Sequence, residues 1–325
     1  MHMRNRWFIA ASLALPAVVV AASIQGPQLG FVFDAAKRQL RPILGIPGAA
    51  VLGQPLTAGI ELKRVAISPL QDYALAVVGE HNEVVVFNMS HSPLNSVAVQ
   101  GADRGPDQLA VSAGGKAAAL YYKNTNRIEV VNGLPGTPKV SSELTVSAGQ
   151  VLTALAVGDD GHTILGAAGD KVFEVTAGGE VPVLAELGKV SAITIPSNGT
   201  ALVADNVHNQ VYRVRGLGAG IETDVIAGAK QGISRPVAVA VSRDGSKAFI
   251  ANAKPATVAI VDLKTEKEVT SIACACTPTG LTRLAGTDTF RLTEISSRPI
   301  WMLEAGRADP RVLFVPAEPA RSSQQ

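Results

Sequence analysis

The chain has 325 residues, 47% hydrophobic, 17% charged and 4% aromatic, which is enough apolar content for a sizeable core and excludes a disordered chain. Lys and Arg number 29 against 27 Asp and Glu, and removing residues 1–22 takes away Arg4 and Arg6 and brings the two signs into balance. That balance excludes a phosphate-tracking nucleic-acid surface, and two Trp and four Tyr are too few for a base-stacking platform.

At the N-terminus, Arg4 and Arg6 precede the apolar run WFIAASLALPAVVVAA, residues 7–22, which ends in small residues suited to cleavage between Ala22 and Ser23. This pattern predicts a cleavable secretory signal over 1–22. The competing reading is an uncleaved anchor, but the run is interrupted by Pro16 and falls short of the ~20 residues that a span requires. No Cys follows it to accept a lipid. The mature protein is expected in the periplasm or outside the cell, with one domain over 23–317 and a polar, mobile tail over 318–325.

From residue 30 onward one unit recurs: an apolar strand, a turn, a second strand, a polar corner and a third strand. Its clearest copy runs from Arg235 to Ile272, where the Asp244-Gly245 turn separates Val-rich alternating runs. Equivalent turn positions are Gln71, Gly115, Gly161, Gly199, Gly245 and Thr287, about 43 residues apart on average. The end of the third strand gives a second anchor at Asp34, Asn88, Asn132, Thr176, Arg215, Asp262 and Glu304. No segment has sustained helical periodicity, and the connections are too short and too rich in Gly, Pro and Asn for crossover helices.

The spacing predicts an all-β fold, a β-propeller of four-stranded antiparallel blades. First strands line a propeller's channel, and six are recognisable, so six blades are expected, with the N-terminal hairpin completing the C-terminal sheet. Seven blades, one incomplete, is the alternative.

Two segments carry a resemblance. Val225-Ile226-Ala227-Gly228, then Arg235-Pro236-Val237-Ala238-Val239-Ala240-Val241, Asp244-Gly245 and Ala248-Phe249-Ile250-Ala251-Asn252 resemble NHL-repeat propellers. So do Ala201-Leu202-Val203-Ala204-Asp205-Asn206 and Asn209-Gln210-Val211-Tyr212-Arg213-Val214. Exported bacterial propellers of the YVTN type are similar to about the same degree. Both resemblances imply a propeller architecture and a binding role, and neither implies a reaction.

The corners between second and third strands carry Glu80-His81-Asn82, Lys123 to Asn126, Asp170-Lys171, Asp205 to Asn209, Lys254-Pro255 and Arg298. They share one face of the disc with the residues entering the first strands: Lys63, Arg64, Asp107, Gln150, Lys189, Arg235 and Thr277. This predicts a polar binding rim. Asn82, Asn126, Asp170 and Asn209 are read as turn caps. The expected ligand contacts are Glu80, His81, Asp107, Lys123, Asn206, His208, Arg235 and Lys254. Arg235 has an alternative role as a brace between blades. His81 and His208 stand three blades apart, too far for one metal ion, and His162 and His91 lie in other loops, so neither a metal nor another cofactor is expected.

Cys274 and Cys276 are the chain's only cysteines. In an oxidising compartment they are expected to pair, with free thiols or soft-metal and redox chemistry as the other readings. Motifs for a nucleophile turn, a zinc protease, a phosphate-binding loop and haem attachment are absent from the sequence. The expected protein is a monomeric binding or protein-interaction module. Its partner is a protein or a carbohydrate or anionic ligand at the rim, not nucleic acid, and it meets a membrane only if residues 1–22 are retained. The alternative is a propeller hydrolase or lyase using Glu80, Asp107 and Asp205.

Overall fold

The computed structural model describes residues 26–317 apart from 58, 91–93, 148, 198 and 287. The expected signal, the expected C-terminal tail, His91 and Thr287 lie outside the described residues.

The sequence separates the strands of each repeat by polarity. Second strands such as Tyr73–Val78, Ala118–Tyr122 and Lys247–Asn252 are nearly continuous apolar runs and are buried on both faces. Fourth strands such as Asn95–Ala98 and Lys139–Thr145 are polar and exposed. A sheet of this composition is stable only when both faces of its middle are covered and its outer edge is left to solvent. Radial packing of sheets around an axis meets that requirement.

Seven antiparallel sheets do so. Blade 1 spans 28–52 with three strands, and blades 2 to 7 span 62–98, 108–145, 154–184, 190–227, 236–273 and 282–315 with four strands each. Seven separate apolar clusters fill the seven interfaces between neighbouring blades. Blade 1 packs Phe31 and Leu40 against blade 2, and Val32 and Ile43 against blade 7. The ring is therefore closed by blade 1, and the fold is a seven-bladed propeller.

This corrects the expectation of six blades. Six of the third-strand anchors, Asn88, Asn132, Thr176, Arg215, Asp262 and Glu304, are the last residues of third strands. Asp34 is not: the strand Gln28–Asp34 abuts the first strand of blade 2 and leads into a corner, as the second strands ending at Asp205 and Asn252 do. Blade 1 thus consists of second, third and fourth strands, and first-strand counting misses it.

The central channel, about 580 Å³, is walled by the first strands of blades 2 to 7. Where blade 1 lacks a counterpart, Gln71 closes the gap. Its Nε2 donates to the Arg283 carbonyl (2.6 Å) and its Oε1 accepts from the Phe31 amide (2.7 Å), while the Ala285 amide donates to the Leu29 carbonyl (2.7 Å). No helix among the described residues is long and apolar enough to cross a membrane.

Candidate functional site

Every blade turns from its second to its third strand on the face where the inter-blade links enter the first strands, and hydrogen bonds join the two sets. Asp205 shows why an acid ends a second strand here. The residue is fully buried, and its carboxylate accepts the amides of Gly188 (2.9 Å) and Lys189 (3.1 Å) from the link, and of Val207 (3.0 Å) and His208 (3.2 Å) from its own corner. Burial opposes its ionisation, but the four amides outweigh burial and hold the carboxyl below the usual carboxylate range.

Other blades meet the same demand with different side chains. Asn252, also fully buried, accepts the Ser234 amide (3.1 Å) and donates to the Gly232 carbonyl (3.0 Å). In blade 3 the position is Tyr122, whose hydroxyl donates to buried Glu129 (2.8 Å), and Glu129 takes the link amide of Asp103 (3.1 Å). In blade 1, Asp34 faces the buried Arg41 guanidinium (3.6 Å) and accepts the Lys37 amide (3.0 Å).

These networks divide the expected contact residues in two. Asp107 accepts the Lys123 amide (2.8 Å), Asn206 donates to the Pro236 carbonyl (2.9 Å), and the Arg235 backbone amide donates to Asn209 (2.6 Å). The functional groups of Asp107 and Asn206 thus brace corner against link, as the backbone of Arg235 does. Asn82, Asn126 and Asn209 take left-handed backbone conformations, in keeping with turn caps. Glu80, His81, Lys123, His208, Arg235 and Lys254 are exposed.

His208 is an exposed corner group with a fixed orientation. Its Nδ1 lies 2.8 Å from Asp205 Oδ2, and because a carboxylate only accepts, Nδ1 carries the proton and the basic nitrogen of the neutral ring is Nε2. The carboxylates of the alternative reading do not assemble. Asp205 is saturated by backbone amides, Asp107 holds the Lys123 corner, and Glu80 stands on another blade. Among the described residues, no three His, Cys, Asp or Glu side chains come within reach of one metal ion.

Both faces carry charges of both signs. Around the corner face stand Lys123, Lys171, Lys254 and Arg298 on blades 3, 4, 6 and 7, with Arg235 on a link, all exposed, interspersed with the exposed acids Glu80, Asp170 and Glu294, while Arg38 of blade 1 pairs with Glu61. The turns of the opposite face carry Asp72, Asp159, Asp160, Asp244 and Asp262 together with exposed Lys116, Arg243, Lys264, Lys267 and Arg307. Asp244 there is held at about 2 by hydroxyl and amide donors, the Ser242 hydroxyl first.

The channel offers less. Its walls are aliphatic, with Leu109, Leu155, Ile193 and Val239, and of the charged groups at its turn end Arg243 is exposed while Asp159 and Arg283 are engaged. Asp159 accepts the Gly114 amide (2.8 Å), and Arg283 pairs with Asp288 (2.8 Å). Cys274 and Cys276 are joined by a disulfide with a Cα–Cα distance of 5.0 Å, against the cluster between blades 6 and 7.

Sequence reasoning missed Asp34 and Arg41 as a buried pair. The signal was present: FVFDAAKRQL aligns on LVADNVHNQV, strand, acid, corner and strand.

No family model matches the chain, and no curated protein matches it. Solved structures do. A protein of unknown function from Desulfotomaculum acetoxidans DSM 771 is similar with a TM-score of 0.62 and 15% identity, over 90% of this chain and all of that one. A catalytically inactive virginiamycin B lyase from Staphylococcus aureus, solved with quinupristin, has a TM-score of 0.55 and 15% identity, over 78% of this chain and 83% of that one. The WD40 repeats of RRP9 follow at 0.57 and 12%, over 80% and 84%. At these identities the likeness is one of fold.

Proposed function

We infer that the protein is an exported binding module whose corner face docks an anionic group on a protein or carbohydrate partner. The observation that carries this reading is the set of exposed cations on that face, Lys123, Lys171, Lys254 and Arg298 on four corners and Arg235 on a link, with corners and links tied together by hydrogen bonds. Exposed cations on several corners attract an anionic ligand at long range, and a multi-blade surface suits an extended partner. Export is the complementary part of the reading: it rests on the Arg4, Arg6 and residue 7–22 pattern, and it agrees with the paired cysteines, which persist in oxidising compartments. Within propellers, the strand and Ala-Asp corner at 201–206 and the 235–252 segment favour an NHL- or YVTN-type relationship.

Fractionation of the native host with intact-mass measurement tests export. A chain beginning at Ser23 outside the cytoplasm, with no thiol open to alkylation, is expected. A cytoplasmic chain retaining residue 1 overturns it.

One observation favours the enzymatic alternative, a lyase acting through a corner side chain: the His208 imidazole is fixed by Asp205 with Nε2 as its basic nitrogen. Incubation with quinupristin, the compound present in the lyase neighbour's structure, separates the two readings. Turnover that disappears in His208→Ala establishes the enzyme; the binding reading expects no turnover.

A further inference from the structure

The first strands that wall the channel present it with an apolar surface. Leu109, Leu155, Ile193 and Val239 come one from each of blades 3 to 6, and the uncharged polar side chains that first strands add to the lining are Thr194 and Thr282. Among the residues lining the channel the only aromatic ring is Phe290, which is buried beneath the Arg283 guanidinium (4.6 Å to the ring centroid). Such walls offer no open ring to stack a sugar or a base and few groups to bind hydroxyls, and they suit an alkyl chain.

The channel is elongated and meets solvent on the turn face. From Val239 to Arg243 its wall follows the chain for four residue steps, roughly 13 Å along extended backbone. Its volume of about 580 Å³ is that of a small-molecule site. The lining ends at Leu70, Ala113 and Arg243, all exposed. Three charged side chains line this end, and two of them are engaged. Arg283 pairs with Asp288 (2.8 Å) and donates to the Val241 carbonyl, and Asp159 accepts the Gly114 amide (2.8 Å). Arg243 differs from both. Its backbone amide donates to Asp288 (2.9 Å), which anchors the turn, while its guanidinium enters no hydrogen bond or ion pair among the described residues.

We propose that the channel binds a linear fatty acid, with the alkyl chain along the aliphatic walls and the carboxylate on the Arg243 guanidinium at the mouth. Burial of the chain supplies affinity without direction, and the planar guanidinium, which matches a carboxylate with two parallel donors, sets the orientation. Asp159 stands two blades from Arg243 and its carboxylate is held by blade 3, so the two side chains form no pair that a ligand would have to break. This site lies on the face opposite the corners, and its occupancy is independent of the partner docking inferred above.

Calorimetric titration of the natively purified, delipidated protein with octanoate, decanoate and dodecanoate, each below its micellar concentration, tests this. One equivalent is expected to bind, about tenfold more tightly for each two added methylenes, with butyrate giving no signal. Arg243→Gln is expected to weaken decanoate about tenfold and to leave 1-decanol unchanged. Thr194→Trp, which places a ring in the channel, is expected to abolish binding of both in a protein with the parent's circular dichroism. Should that variant not fold, the chain-length series and the acid-against-alcohol comparison in Arg243→Gln decide the matter. A flat chain-length series, undiminished binding in folded Thr194→Trp, or Arg243→Gln affecting acid and alcohol alike overturns the proposal. So does binding to vesicles of anionic phospholipid without any response to the monomeric acids, which assigns the apolar mouth to a lipid surface.

Discussion

Asp205 condenses the local physics of this ring into one residue. A fully buried carboxylate accepts four backbone amides, joins a link to a corner, and orients His208. Removing the acceptor leaves those donors without it, so Asp205→Ala is expected to lower the free energy of unfolding by at least about 2 kcal/mol in urea titrations. The pH dependence has a definite sign. The folded carboxyl titrates below its unfolded value of about 3.9, so its stabilisation is complete above that value and is lost as pH falls through the folded pKa. Asp205→Asn should therefore have a shallower loss of stability below about pH 4 than the parent, and superimposable acid limbs would refute this role. The sequence pointed to the corner at 205 and to turn caps at Asn82, Asn126 and Asn209. It did not separate bracing from contact at Asp107 and Asn206, because that depends on which link passes over each corner.

At the scale of strands and turns, the periodic signals carried most of the fold. Turn glycines at 115, 161, 199 and 245 all occupy left-handed conformations, as a repeated tight turn demands, and six third strands end where the spacing places them. Gln71 stands at the equivalent turn with φ of +61°, a conformation in which a side chain is disfavoured. Its side chain compensates by joining Phe31 to Arg283 across the missing first strand. Gln71→Gly isolates that role, since it relieves the backbone and removes only the bridge. A loss of about 1–3 kcal/mol in unfolding free energy is expected, and an unchanged or raised denaturation midpoint would show that the bridge does not close the ring. Blade number was illegible for a related reason: counting channel strands assumes one per blade, and blade 1 has none among the described residues. Alignment of its Asp34 with Asp205, rather than with strand ends such as Asn88, identifies it as a separate blade.

At the scale of the whole molecule, seven apolar interfaces hold seven sheets in a ring, and the links and corners on one face convert that ring into a charged platform. Net charge does not reveal these cations, because acids on both faces balance them. The platform makes a geometric prediction that composition alone does not. On the proposed reading, charge reversal on the corner face abolishes partner binding, while the same number of reversals on the other face leaves it intact. Long-range attraction contributes to association in either case, but docking depends on the face that makes contact.

The decisive measurement is quantitative cross-linked capture from the native host's envelope fraction with three baits. These are the parent, a corner variant with Lys123→Glu, Lys171→Glu and Lys254→Glu, and an opposite-face variant with Lys116→Glu, Lys264→Glu and Lys267→Glu. A stoichiometric partner retained by the parent and the opposite-face variant, and lost by the folded corner variant, is the predicted result. Capture unaffected by the corner reversals, or lost only with the opposite-face ones, would contradict the assignment of the corner face as the binding surface.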